Sequence, residues 1–137
     1  MVEFMKRLLL AFIIITPMFW AHAVEPTSTS LSFNKDIRPI LSENCFSCHG
    51  PDEKNRKAKL RLDLRKDVYA KGESGTPIVP GNIDESLVFD RISSTESDEM
   101  MPPPRSGKKL SSSDKELIRK WISAGAPWAE HWAFEPP

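Results

Sequence analysis

The chain has 137 residues, the length of one domain, of which 39% are hydrophobic and 28% charged. Nineteen basic residues balance nineteen acidic ones, so no overall field draws the chain to nucleic acid or an anionic membrane. Twelve prolines and six glycines imply long irregular stretches, and two cysteines exclude a disulfide-dense scaffold; multidomain enzymes, coiled coils and membrane bundles are excluded with them.

In chain order, Lys6 and Arg7 precede an apolar run over residues 8–20, and Ala21-His22-Ala23 supplies the small-x-small pattern cut by signal peptidase. The run is short for a membrane span. Residues 1–23 therefore read as a signal peptide, with the mature chain beginning at Val24 and carrying no membrane span; an uncleaved anchor is the rival. Export to the periplasm or cell envelope follows. Residues 24–32 contain Pro26 and lack any period, which makes them a flexible linker ahead of a domain over residues 33–135.

Ile37, Ile40, Leu41 and Cys45 recur at helical spacing. They predict a helix over residues 36–44, with Asn34 as N-cap and Pro39 in the first turn, where its missing N–H is tolerated. Residues 54–66 hold seven basic side chains, and Leu60, Leu62 and Leu64 alternate with Arg61 and Asp63 as in a short strand or extended segment. Residues 71–81 form a Gly/Pro loop. Leu87, Val88 and Ile92 then make the apolar stripe of a short helix over residues 84–92. A second loop, residues 93–109, contains Met100, Met101 and three consecutive prolines. Ser111 and Asp114 form a capping-box-like start to the last helix, whose apolar face is Leu117, Ile118, Trp121 and Ile122; Gly125 and Pro127 end it. The predicted class is mainly α, with long Pro/Gly-rich loops.

The chemistry lies in Cys45-Phe46-Ser47-Cys48-His49, a C-x-x-C-H pentapeptide and the attachment signature of c-type haem. Two thiols three residues apart on one turn can each add across a vinyl group on the same haem edge. The following histidine then offers a ring nitrogen to iron. Three rivals are weaker. A thioredoxin-like site needs alternating strands and helices, which the chain lacks. Zinc needs a fourth ligand beside Cys45, Cys48 and His49, with only His131 or a carboxylate to supply it. A disulfide over so short a loop stabilises little. For electron transfer the iron takes a sixth ligand, commonly methionine. Met100 and Met101 are the candidates, with His131 the rival. Pro102 restricts the backbone of Met101, and the prolines after it stiffen the loop.

The chain resembles the small monohaem, class I cytochrome c fold and, more narrowly, the planctomycete-type cytochrome c domain. The resemblance rests on Phe33-Asn34-Lys35-Asp36-Ile37-Arg38-Pro39-Ile40-Leu41, Cys45-Phe46-Ser47-Cys48-His49-Gly50-Pro51-Asp52, Leu60-Arg61-Leu62-Asp63, Ile78-Val79-Pro80-Gly81, Met101-Pro102-Pro103-Pro104 and Trp121-Ile122-Ser123-Ala124-Gly125-Ala126-Pro127-Trp128. It implies that Cys45 and Cys48 hold one covalent haem c, that His49 is the proximal ligand and that Met101 is the distal one. Domains of this type usually open a longer exported protein, so a chain stopping at Pro137 is expected to be a fragment or truncated product.

The implied function is electron transfer by an exported haem protein without substrate chemistry of its own. The partner would be a redox protein or a downstream domain. The alternative is the haem module of a larger redox enzyme, with catalysis in a missing domain or at an open iron position. The basic stretch at residues 54–66 lacks the interleaved aromatics of a nucleic-acid site and reads as a solvated face or a docking patch for an acidic partner.

Overall fold

The computed structural model describes residues 31–129. A π-helical turn (Phe33–Ile37) runs directly into α1 (Arg38–Asn44), followed by α2 (Phe46–His49), α3 (Arg65–Tyr69), α4 (Leu87–Ser93), a 3-10 turn (Pro104–Ser106) and α5 (Ser112–Ser123). Among the described residues there is no strand, only isolated bridges pairing Gly72 with Gly75 and Val79 with Asn82. The class is mainly α, as predicted. The segment predicted as a signal peptide, most of the predicted linker and His131 lie outside the described residues.

The first helical segment starts earlier than the pattern predicted. Ser32 is its cap rather than Asn34: the Ser32 side chain accepts from the Lys35 N–H at 3.4 Å, and Asp36 accepts from the Ser32 N–H at 2.7 Å. This reciprocal pairing satisfies free donors at a helix start, and it draws Ser32, assigned by sequence to the linker, into the folded unit. Pro39 sits in the first turn of α1, where no N–H is required. The capping box of α5 forms as predicted, with the Asp114 N–H donating to Ser111 Oγ at 3.1 Å and the Ser111 N–H to Asp114 Oδ2 at 2.9 Å.

The apolar faces of these helices meet in one core. Ile37, Ile118, Trp121 and Ile122 are fully buried, and Val68 joins them from α3 and Ile78 from the loop after it. Burying each aliphatic side chain is worth about 1.5–3 kcal/mol. Phe33 stacks on Trp128 at 4.0 Å and approaches Trp121 at 5.6 Å, closing the start of the domain against its last described segment. After α5 the chain reverses through Gly125 (φ 90°) and Ala126 (φ 47°), where the Ala126 N–H donates to the Trp121 carbonyl at 2.8 Å. Trp121 Nε1 then donates to the Pro127 carbonyl at 2.8 Å and the Tyr69 hydroxyl to the Ala126 carbonyl at 2.5 Å.

Two local expectations are corrected. The alternating leucines of residues 60–64 make no ladder; only Leu62 is buried, and its N–H donates to the His49 carbonyl at 2.8 Å. The period of two arises because Arg61 and Asp63 pair with each other outside that leucine, at 2.7 and 2.6 Å. The helix predicted over residues 84–92 begins only at Leu87, because residues 82–86 are taken by a tight turn. There the fully buried Ser86 hydroxyl donates to the Asn82 carbonyl at 2.6 Å and accepts from the Val79 N–H at 2.9 Å. The short helix α3, which begins at the end of the basic stretch, had no clear periodic signal.

Candidate haem-attachment site

Cys45 is the joint between α1 and α2. Its N–H donates to the Leu41 carbonyl at 2.8 Å, while its own carbonyl accepts from Cys48 at 3.0 Å and from His49 at 2.8 Å. Residues separated by three and four positions share a helix face, so this turn sets both thiols and the imidazole on one side of the chain. Both cysteines are free thiols.

The turn is held from behind by main-chain bonds that the motif itself does not reveal. The Lys57 N–H donates to the Cys48 carbonyl and the Leu62 N–H to the His49 carbonyl, each at 2.8 Å. Arg56 adds bonds to the Gly50 and Pro51 carbonyls at 3.0 and 2.8 Å. Two of the seven basic residues of this stretch, Arg56 and Arg61, are thus structural members of the loop rather than free surface charge. Gly50 is required by space: a Cβ there would lie 2.3 Å from the Phe46 carbonyl oxygen and 2.9 Å from Phe46 Cβ.

The electrostatics separate the readings of the thiols. Burial pushes the Cys45 thiol up to about 11, against a smaller opposing pull from the Lys108 ammonium. A zinc site or a reactive dithiol needs an accessible thiolate, whereas a thioether carries no charge and suits a desolvated position. Among the described residues no three His, Cys, Asp or Glu side chains come together as a cation site. Burial also lowers the His49 imidazole, partly offset by its hydrogen bond to the Lys57 backbone. Its Nδ1 is buried without a partner. A neutral imidazole with one nitrogen on a backbone group and the other unsatisfied is the arrangement of a metal ligand. The donor set therefore fits a c-type haem.

Residues 45–105 match the family model described as planctomycete cytochrome C. The match supports a planctomycete-type cytochrome c domain over these residues. No curated protein and no solved structure matches it. A cytochrome c domain of this kind implies covalently bound haem c and haem-based electron transfer in general. The matched segment of the cytochrome c domain contains the C-x-x-C-H turn and both candidate methionines.

Met101 is half-buried and packs on the same core as Cys45 and Phe46. Its N–H donates to the Arg91 carbonyl of α4 at 2.9 Å. With Met100, Asp98, Pro103, Pro104 and Arg105 it lines an open groove of about 380 Å³, and none of Cys45, Cys48 and His49 lines that groove. The structure thus joins the three motif residues on one turn and sets Met101 on a separate loop. Sequence reasoning missed Gly50, Lys57, Leu62 and Lys108 as parts of the site. Only Gly50, adjacent to the motif, carried a local signal.

Proposed function

We propose that this cytochrome c domain is an exported single-electron carrier in which Cys45 and Cys48 hold one haem c through thioether bonds. His49 supplies the proximal nitrogen and Met101 the distal sulfur. Haem so bound supplies a reversible one-electron couple whose potential is set by its axial donors and their surroundings. The observation carrying this reading is the single turn that presents two free thiols beside a buried imidazole nitrogen with no partner. The chain's own residues do the remaining work. The Lys57 backbone orients the His49 ring, the Leu62 and Lys57 N–H groups fix the turn, and the core behind Cys45 excludes water. No helix among the described residues is long and apolar enough to cross a membrane. The leader-like residues 1–23 favour an exported carrier that passes electrons to a redox protein or a further domain.

The test is expression in a host with cytochrome c maturation, followed by haem staining after denaturing electrophoresis. Stain should survive in the wild type and vanish in Cys45→Ala/Cys48→Ala. Stain that persists in the double variant, or never forms in the wild type, rejects the assignment.

A further inference from the structure

Lys108 lies seven residues beyond Met101, yet its ammonium reaches the opposite side of the site. Nζ donates to the Glu43 carbonyl, in the last turn of α1, and to Ser47 Oγ at 3.3 Å, between the two cysteines. These contacts span 65 and 61 residues of chain. They are side-chain bonds that join the methionine-bearing loop to the C-x-x-C-H turn and the helix end before it. A cation is favourably placed at carbonyls of a helix C-terminus, so Lys108 answers a charge requirement as well as a steric one.

The chain between Met101 and Lys108 is stiff. Three prolines lead into the turn Pro104–Ser106, where the Ser106 N–H and hydroxyl both donate to the Pro103 carbonyl, at 2.9 and 2.7 Å. Gly107 turns the backbone at φ 69°, and the Lys108 N–H donates back to Ser106 Oγ at 3.2 Å. Leu110, buried, then anchors the loop to the core. A constraint applied at Lys108 is therefore carried to Met101 rather than absorbed by a flexible connector. The other end of the loop is fixed on α4 by the Met101 N–H and the Arg91–Glu99 ion pair at 3.5 Å.

We infer that Lys108 is a positioning residue: it clamps the methionine loop to the C-x-x-C-H turn and so holds Met101 in place as the distal ligand. This rests on the haem reading above. The clamp acts on an equilibrium between a closed loop, with the thioether on iron, and an open loop, with that position free. An external ligand that binds only the open form has its apparent affinity reduced by the fraction open. Weakening the clamp raises that fraction without touching any donor atom.

The experiment uses the haem-loaded protein with carbon monoxide as probe of the ferrous iron. Lys108→Met keeps the stem length but removes charge and donors, Lys108→Gln keeps a neutral donor, and Lys108→Arg keeps the charge. Lys108→Met should bind carbon monoxide about five-fold more tightly than wild type, the size expected for losing a partly exposed charged hydrogen bond. It should also weaken the ferric sulfur-to-iron charge-transfer band. Lys108→Gln should fall between, and Lys108→Arg should return both readings toward wild type; these two decide the matter if the methionine variant fails to fold. Carbon monoxide affinity and band intensity unchanged across the series, with haem still covalently attached, would overturn the clamp even if melting temperature fell. Wild type lacking covalent haem would instead overturn the reading on which the clamp rests.

Discussion

The two halves of the proposed iron environment are built by different means. The C-x-x-C-H turn is fixed by main-chain bonds on both sides: the Cys45 N–H to Leu41 before it, and the Lys57 and Leu62 N–H groups to Cys48 and His49 after it. The methionine loop is tied to α4 by a main-chain bond from the Met101 N–H to the Arg91 carbonyl, and otherwise by side chains at its ends, Arg91 with Glu99 at one and Lys108 at the other. Main-chain bonds persist through most substitutions, whereas exposed side-chain pairs are worth about 0.2–1 kcal/mol each and are screened by salt. The attachment side is therefore rigid by construction. The distal side is adjustable, which is where a carrier's potential and ligand exchange can be tuned.

The sharpest way to break this contrast is through two glycines. Gly50→Ala places a Cβ 2.3 Å from a backbone oxygen of the motif turn, which cannot swing aside as a side chain would. It should cost about 2–3 kcal/mol of stability and cut the yield of covalently attached haem. Gly107, in the methionine loop, has nothing within 4 Å of a Cβ and only its φ of +69° to resist alanine. That conformation costs a non-glycine residue about 1–2 kcal/mol, and haem yield should be unchanged. Thermal melts and haem staining of the two variants check both. Equal haem yields would mean that the motif turn is no more rigid than the loop.

The second difference concerns the donors. Met101→Ala should abolish the charge-transfer band, admit carbon monoxide and lower the potential by at least about 0.1 V, within the roughly 0.8 V over which axial ligands act. Met100→Ala should leave all three nearly unchanged, although both methionines line the same groove. Spectra and redox titrations of the two variants decide it. The reverse pattern moves the ligand by one residue. Sensitivity to His131→Ala alone would make the iron bis-histidine.

The same contrast explains what the sequence made legible. Cys45, Cys48 and His49 act through spacing along one turn, so the motif could be read without a fold. The capping box of α5 and the stop at Gly125 are equally local, and both formed where they were predicted. Ser32 displaced Asn34 as the first cap because Asp36 reaches back to it, a choice between neighbours that pattern alone does not make. The leucine alternation misled because periodicity cannot distinguish a strand from a loop whose charges pair with each other. Lys108 was invisible, since its partners lie more than sixty residues away and no local rule connects them. The parts that position the site through tertiary contacts were the parts that had to be seen.

The smallest effect, and the one most specific to the attachment side, is the acid response of the Arg61–Asp63 pair. Its two bonds, at 2.7 and 2.6 Å, flank Leu62, whose N–H holds the His49 carbonyl. The Arg61 guanidinium holds the Asp63 carboxyl below its usual value of 3.8, against an opposing push from partial burial. A carboxyl whose folded pKa is depressed contributes stability that is present above its unfolded pKa and is lost as pH falls through its folded value. Asp63→Asn should therefore cost about 1 kcal/mol at pH 7. Wild type should lose that advantage progressively below about pH 4, where the unfolded chain takes up the proton first. Thermal melts of the haem-loaded proteins between pH 7 and pH 2 provide the measurement. Glu99→Gln in the methionine loop is the comparison: the Arg91–Glu99 pair is 3.5 Å apart and its carboxylate side chain is 52% exposed, so its loss should stay below about 0.5 kcal/mol. An Asp63→Asn penalty that is the same at every pH would show that the pair acts by shape rather than charge, and the electrostatic account of the loop behind His49 would have to be given up.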